Sequence, residues 1–261
     1  GGRAAALGVG LGRQAEAVVE GTTPARFQTF RLFGDARPTG NTLMSTSFGS
    51  AEVNTILLPS STAALSGIPL NAEIESAFLF WSGSLTPPGF MGPVVADQNA
   101  LFTLADGVST GVNADLCRTV NSTDFNWDMY YCRADVTGLL RAHPGSFRFN
   151  GNYTDAGVEA DPGHVMPGTN NCRPGDGNCQ GKYAAWTMVV VFSSPTATVQ
   201  RDILLYDGFV HLNETLGPGG AGITTFTLDG FLVGTPALAE ISYFAMEGDA
   251  RLGGGGIQPT C

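Results

Sequence analysis

Five cysteines are the residues of this sequence whose spacing suggests covalent chemistry: Cys117, Cys132, Cys172, Cys179 and Cys261. Cys172 and Cys179 flank a turn-forming insert, and Cys117 and Cys132 bracket a short loop. Neither spacing matches the C-x-x-C pattern of zinc and redox sites. We therefore predict two disulfides, Cys117 with Cys132 and Cys172 with Cys179, and these imply export to an oxidising compartment.

Cys261 is left over by this pairing. An odd cysteine in an exported chain indicates either a bond between chains or a free thiol. We take Cys261 as a candidate for an intermolecular bond. The alternative is that Cys261 pairs within the chain and leaves another cysteine free.

Carboxylates in one loop suggest a metal site. Asp155 and Asp161, with Glu159 between them, gather oxygen ligands of the kind that calcium prefers. The spacing matches no EF-hand, and acidic loops are commonly just solvated. A structural calcium ion held by Asp155 and Asp161 is therefore a possible cofactor; we predict no other.

Aromatic residues near the first cysteine pair suggest glycan binding. Trp127 lies between two polar residues, and Tyr130 and Tyr131 follow it closely. Together they would form an exposed aromatic cluster in the Cys117–Cys132 loop. The alternative is a small satellite core pinned by the disulfide.

Residues for nucleophilic catalysis are sparse. The three histidines, His143, His164 and His211, lie in loops or at a strand end, and the sequence contains no Gly-x-Ser-x-Gly elbow. We therefore predict no catalytic residues and no enzymatic activity.

The elements that must position these residues are short β-type runs broken by Gly, Pro, Asn and Asp. One run, residues 186–192, is almost continuously apolar and predicts a central strand buried on both faces. Asp135 could cap a short helix over residues 136–141. The predicted strands are residues 27–33, 53–58, 75–81, 100–104, 146–153, 185–192, 202–212, 223–233 and 240–246.

This pattern predicts an all-β fold, a single large β-sandwich or jelly roll. We place the sandwich at residues 27–250. An extended N-terminal arm, residues 1–26, precedes it, and a Gly-rich C-terminal tail, residues 251–261, follows it.

Composition excludes several classes of partner. The net charge is −10, charged residues make up 14%, and Gly accounts for 36 of the 261 residues. A phosphate backbone would repel such a surface, so we predict no nucleic-acid binding. No apolar run reaches the length of about 20 residues that a membrane span requires, so we predict none.

A series of short fragments resembles a widespread family of exported bacterial cell-surface β-domains, largely of unknown function. The fragments are GNTLM (40–44), IESAFLFWSG (74–83), YCRADVT (131–137), GNYT (151–154), YAAWTMVVVF (183–192), DGF (207–209), LDGF (228–231) and EGDA (247–250). The resemblance lies in their order. It implies a β-rich extracellular domain, often attached to a cell envelope, and supplies no catalytic residue.

The function predicted from these features is that of a structural subunit in an extracellular bacterial assembly: a filament, a fibre or a surface layer. The Gly-rich terminal segments would polymerise the chain by pairing with an exposed sheet edge of a neighbour. Its partners would be copies of itself, with other surface proteins or glycans as further candidates. The alternative is a monomeric surface adhesin or glycan-binding module.

Overall fold

The computed structural model describes residues 18–46, 55–57, 60–69, 71–85, 95–104, 107, 109–121, 128–142, 159–161, 184–213, 226–230 and 239–244. These residues contain the strands β1 (Val18–Thr42), β2 (Met44–Thr46), β3 (Thr55–Leu57), β4 (Glu73–Leu85), β5 (Asn99–Thr103), β6 (Ser109–Asn113), β7 (Leu116–Asn121), β8 (Asp128–Asp135), β9 (Glu159–Asp161), β10 (Ala184–Ser193) and β11 (Gln200–Asn213). One short helix, α1 (Thr137–Ala142), lies among them. The predicted all-β class is confirmed.

The main sheet has six strands in the order β11-β1-β10-β4-β8-β7, and all its pairs are antiparallel. The long strand β1 serves two partners in turn. Residues 18–33 pair with β11, and residues 34–42 pair with β10. At the change of partner, a Cβ on Gly34 would lie 1.9 Å from the Phe192 carbonyl oxygen, so the backbones can approach this closely only at a glycine.

This change of partner curls the sheet over itself. The first half of β1, together with β11, lies across one face of β4, β8 and β7. Phe27 of β1 contacts Phe78 of β4 edge-to-face at 5.1 Å between ring centroids, and Arg118 of β7 donates to the Thr22 hydroxyl of β1 at 3.4 Å. The two ends of one sheet therefore form two packed layers, as in a β-sandwich.

The larger hydrophobic core lies on the opposite face of β10, β4 and β8. Trp81 and Trp186 pair directly across β4 and β10, and both are fully buried. This face is covered by the three-stranded sheet β6-β5-β9, by residues 60–69 and by α1. The largest fully buried side chains of this core besides the two tryptophans are those of Tyr130, Phe102, Leu43, Leu65, Leu79, Leu104, Leu140 and Met188.

Several predicted elements are confirmed. β10 lies in the middle of the main sheet, between β1 and β4, and is buried along most of its length, as its apolar run predicts. The helix forms within one residue of its predicted start. The Asp135 carboxylate accepts a hydrogen bond from the Thr137 backbone N–H at 2.8 Å, which satisfies one of the free donors of the first turn.

Other predicted boundaries are wrong. β1 begins at Val18 and not at residue 27, so the predicted border between arm and sandwich falls inside a paired strand. Residues 226–230 and 240–244, expected in strands, form none. The strand predicted at residues 146–153 lies outside the described residues.

In the part of the chain described above, no helix is long and apolar enough to cross a membrane.

Candidate functional site

A cluster of polar side chains lies between the two packed layers of the curled sheet. We call it the interlayer cluster: Tyr131 and Arg133 of β8, Arg118 of β7, and Asp207 of β11. Tyr131 and Arg133 are two residues apart and so point to the same face, and Arg118 is the direct cross-strand partner of Tyr131. Asp207 meets them from the opposite layer.

Asp207 is the centre of this cluster. Its carboxylate accepts a hydrogen bond from Arg133 Nη1 at 2.5 Å through Oδ2, and a second from the Tyr131 hydroxyl through Oδ1. The residue is only 5% exposed. Both carboxylate oxygens are therefore engaged, as a buried charge requires.

Aromatic rings enclose the ion pair. The Arg133 guanidinium lies over the Phe27 ring at 4.2 Å from its centroid. Tyr131 stacks between Phe80 and Phe209, with ring centroids 6.0 and 5.6 Å apart. Such walls lower the local dielectric and strengthen the ion pair.

The Tyr131 hydroxyl stays protonated in this setting. Burial raises its pKa most, and the hydrogen bond to Asp207 and the charge of that carboxylate raise the pKa further. The pKa of Tyr131 therefore lies well above its usual value of about 10. The phenol remains a hydrogen-bond donor to Asp207 throughout the neutral range.

This raised pKa predicts alkaline sensitivity. Tyrosine ionises in the unfolded chain above about pH 10 but not in the folded one, so its stabilising contribution is complete below that pH and is lost as the pH rises further. We expect the unfolding free energy to fall more steeply above pH 10 in the wild type than in Tyr131→Phe. Urea unfolding at a series of pH values measures this. Tyr243→Phe, at a position 86% exposed, is the control and should retain the wild-type slope.

The disulfide predicted between Cys117 and Cys132 is present. The two residues are direct cross-strand partners in β7 and β8, with Cα atoms 4.1 Å apart. By strand alternation they lie on the face of the sheet opposite Arg118 and Tyr131. The edge strand β7 is therefore held by a covalent bond on one face and by the interlayer cluster on the other.

Removing this bond is expected to lower the free energy of unfolding by about 3 kcal/mol, the usual value for a loop of its size. The sequence separation is 15 residues. The test compares Cys117→Ala/Cys132→Ala with its parent by urea unfolding, both in a background in which the other three cysteines are alanine. Equal unfolding midpoints for the pair would contradict the stabilising role.

The predicted glycan-binding cluster requires correction. Tyr130 and Tyr131 lie on β8 and not in a loop, and they are only 1% and 4% exposed. One belongs to the larger core and the other to the interlayer face, because β8 is covered on both sides. Neither ring is available to a glycan. Trp127 lies outside the described residues.

The remaining predicted site residues receive no test from the geometry. Asp161 ends β9, where it pairs with Leu101, while Asp155 lies outside the described residues. Among the residues that are described, no three side chains of metal-binding type come together. Cys172, Cys179 and Cys261 also lie outside the described ranges, so their predicted bonds stay predictions.

The interlayer cluster was not predicted from the sequence. The available signal is Asp207 itself, a carboxylate in the otherwise apolar strand residues 203–210. A charge in such a strand is expected to have a buried partner. The sequence does not say which cation that is, since Arg133 lies 74 residues away.

No protein-family model, curated protein or solved structure matches this chain. The resemblance to exported surface domains stays a prediction. The geometry supports a structural role for the interlayer cluster. Both oxygens of the Asp207 carboxylate accept hydrogen bonds from the opposite layer, and little of the residue faces solvent.

Proposed function

We propose that this chain is a structural subunit of an extracellular assembly that associates by strand addition at a sheet edge. The observation that carries the proposal is the edge formed by β11. This strand has 14 residues and pairs only with β1 among the described strands. An edge of this length presents a row of backbone donors and acceptors to which another strand can pair.

The opposite edge of the sheet is a poorer acceptor. β7 has only 6 residues, and the first half of β1 packs over it. Short and covered edges are a common protection against unwanted pairing. Within the described residues the two ends of the sheet therefore differ, and of the two edge strands β11 is the longer and the less covered one.

The polar chemistry of the described residues favours a structural role over a catalytic one. Asp207 bonds to both Arg133 and Tyr131 between the two layers, where Asp207 and Tyr131 are only 5% and 4% exposed. A catalytic acid or base must reach its substrate. These groups instead stiffen the layer that carries the β11 edge.

The Cys117–Cys132 disulfide supports the extracellular part of the proposal. Structural disulfides persist mainly in oxidising compartments and are rare in the cytosol. The surface of low charge density would also allow close contact between copies, since fewer charges must be desolvated.

Electron microscopy and sedimentation velocity of the native protein, without reductant and over a wide concentration range, test the proposal. We expect concentration-dependent oligomers or polymers. Particles that remain monomeric at every concentration would contradict it. Binding of such monomers to a glycan array, abolished by Trp127→Ala, would support the adhesin or glycan-binding alternative.

A further inference from the structure

Residues 239–244, Ala-Glu-Ile-Ser-Tyr-Phe, form an exposed segment that carries three large hydrophobic side chains, Ile241, Tyr243 and Phe244. All six are exposed; Ile241 is 70% and Tyr243 86% accessible, and Phe244 is 39% accessible. β-branched and aromatic residues favour strands, yet this segment belongs to none of the sheets in the described part of the chain. The segment therefore has the residue types of a strand but pairs with no strand in the described part of the chain.

The β11 edge is suited to accept such a segment, because its charged residues as far as Asp207 are already paired or buried. Its two charged residues near the start are both occupied: Arg201 pairs with Asp35, and Asp202 pairs with Arg31, each at 2.6 Å. From Ile203 onward the strand carries no charge until Asp207, which points into the buried cluster.

Exposed charges along an edge usually prevent strand addition. Residues 203–206, Ile-Leu-Leu-Tyr, lack this protection and are only half-buried in the single chain. An added strand would therefore cover apolar side chains as well as pair the backbone.

We propose that residues 239–244 of one copy add as a strand to the open edge of β11 in a second copy. This inference rests on the proposed function and specifies its contact. The contact is heterologous, with different surfaces on the two copies, so repetition generates a ring or an open filament.

The chain path supports a second copy as the acceptor. Tyr206 donates to the Asp229 carbonyl at 2.6 Å, and Arg26 donates to the Gly230 carbonyl at 3.4 Å, so the chain passes close to β11 at this point. Residues 231–238 span at most about 29 Å when extended, enough to bring the segment back to its own edge. In the single chain the segment nevertheless lies exposed and outside any strand.

The first experiment measures self-association by sedimentation equilibrium. Ile241→Asp/Tyr243→Asp places two carboxylates in the added strand, where burial without a partner is unfavourable, and we expect association weakened by about tenfold or more. Val95→Asp, at another apolar position that is 66% exposed, is the matched control and should associate as the wild type does. Far-UV circular dichroism verifies that each variant is folded.

The second measurement is hydrogen exchange of β11 in monomeric and associated protein. We expect protection of β11 amides to increase on association of the wild type and not in the double variant. A wild type that never associates contradicts the proposed function itself. Association that the double variant retains, or that leaves β11 exchange unchanged, overturns this inference alone. Protection of β11 in monomers that the double variant loses assigns the pairing to the same chain and also overturns it.

Discussion

Replacing Asp207 with alanine is expected to lower the free energy of unfolding by about 3–5 kcal/mol, the usual cost of removing one partner from a buried ion pair. The substitution leaves the Arg133 guanidinium between Phe27 and Phe78 without its carboxylate. It also leaves the Tyr131 hydroxyl without its acceptor. Urea unfolding followed by tryptophan fluorescence measures the change. A loss well below this range would contradict a stabilising role for the buried Asp207–Arg133 pair.

Asp202 supplies the matched control, because it lies on the same strand and also pairs with an arginine. Arg31 donates to both oxygens of Asp202, at 2.6 and 3.0 Å, but its side chain is 60% exposed. The hydrogen bond from Arg31 lowers the pKa of Asp202, so any stabilisation is present at neutral pH and is lost as the pH falls through the acid range. Solvent and salt screen such a pair.

Asp202→Ala should therefore cost much less than Asp207→Ala, and added salt should reduce its effect further. Equal losses for the two variants would show that burial does not decide the strength of these pairs. In a double-mutant cycle, Asp207→Ala and Arg133→Ala should be strongly non-additive, because either change alone already breaks the same contact.

The sequence is most informative where one strand or one turn determines the outcome. The apolar run of β10 predicts a central strand, and β10 lies between β1 and β4 and is buried along most of its length. The Cys117–Cys132 pair was predictable because the two residues are close in sequence and a hairpin brings them into register. Asp135 similarly acts on a helix that begins directly after it.

The sequence is least informative where the outcome depends on segments far apart in the chain. The sequence predicts an exposed loop for Tyr130 and Tyr131; both are buried on β8, and Tyr131 is covered because β11 folds back over its face of the sheet. That return follows from the change of partner in β1 at Gly34, a non-local event. The pairing of Asp207 with Arg133 has the same origin, so the candidate site escaped prediction.

Replacing Trp81 with alanine is the second large effect we expect, a loss of about 3–5 kcal/mol, as for other buried tryptophans. Trp81 is fully buried, and its indole N–H donates to the Asp97 carbonyl at 2.9 Å. Its cross-strand partner Trp186 donates to the Ser61 hydroxyl at the same distance. Each tryptophan thus links the main sheet to a different segment that covers it: Trp81 to residues 95–98 and Trp186 to residues 60–69.

Phenylalanine substitutions separate this tethering from packing. Trp81→Phe keeps most of the ring but removes the donor, and we expect a smaller loss of about 1–3 kcal/mol. Hydrogen exchange should then increase in residues 95–98 for Trp81→Phe and in residues 60–69 for Trp186→Phe. Loss of an indole hydrogen bond should increase exchange only in the segment to which that indole is bonded, whereas a packing defect affects the whole core. If either variant increases exchange equally in both segments, the indoles contribute through packing alone.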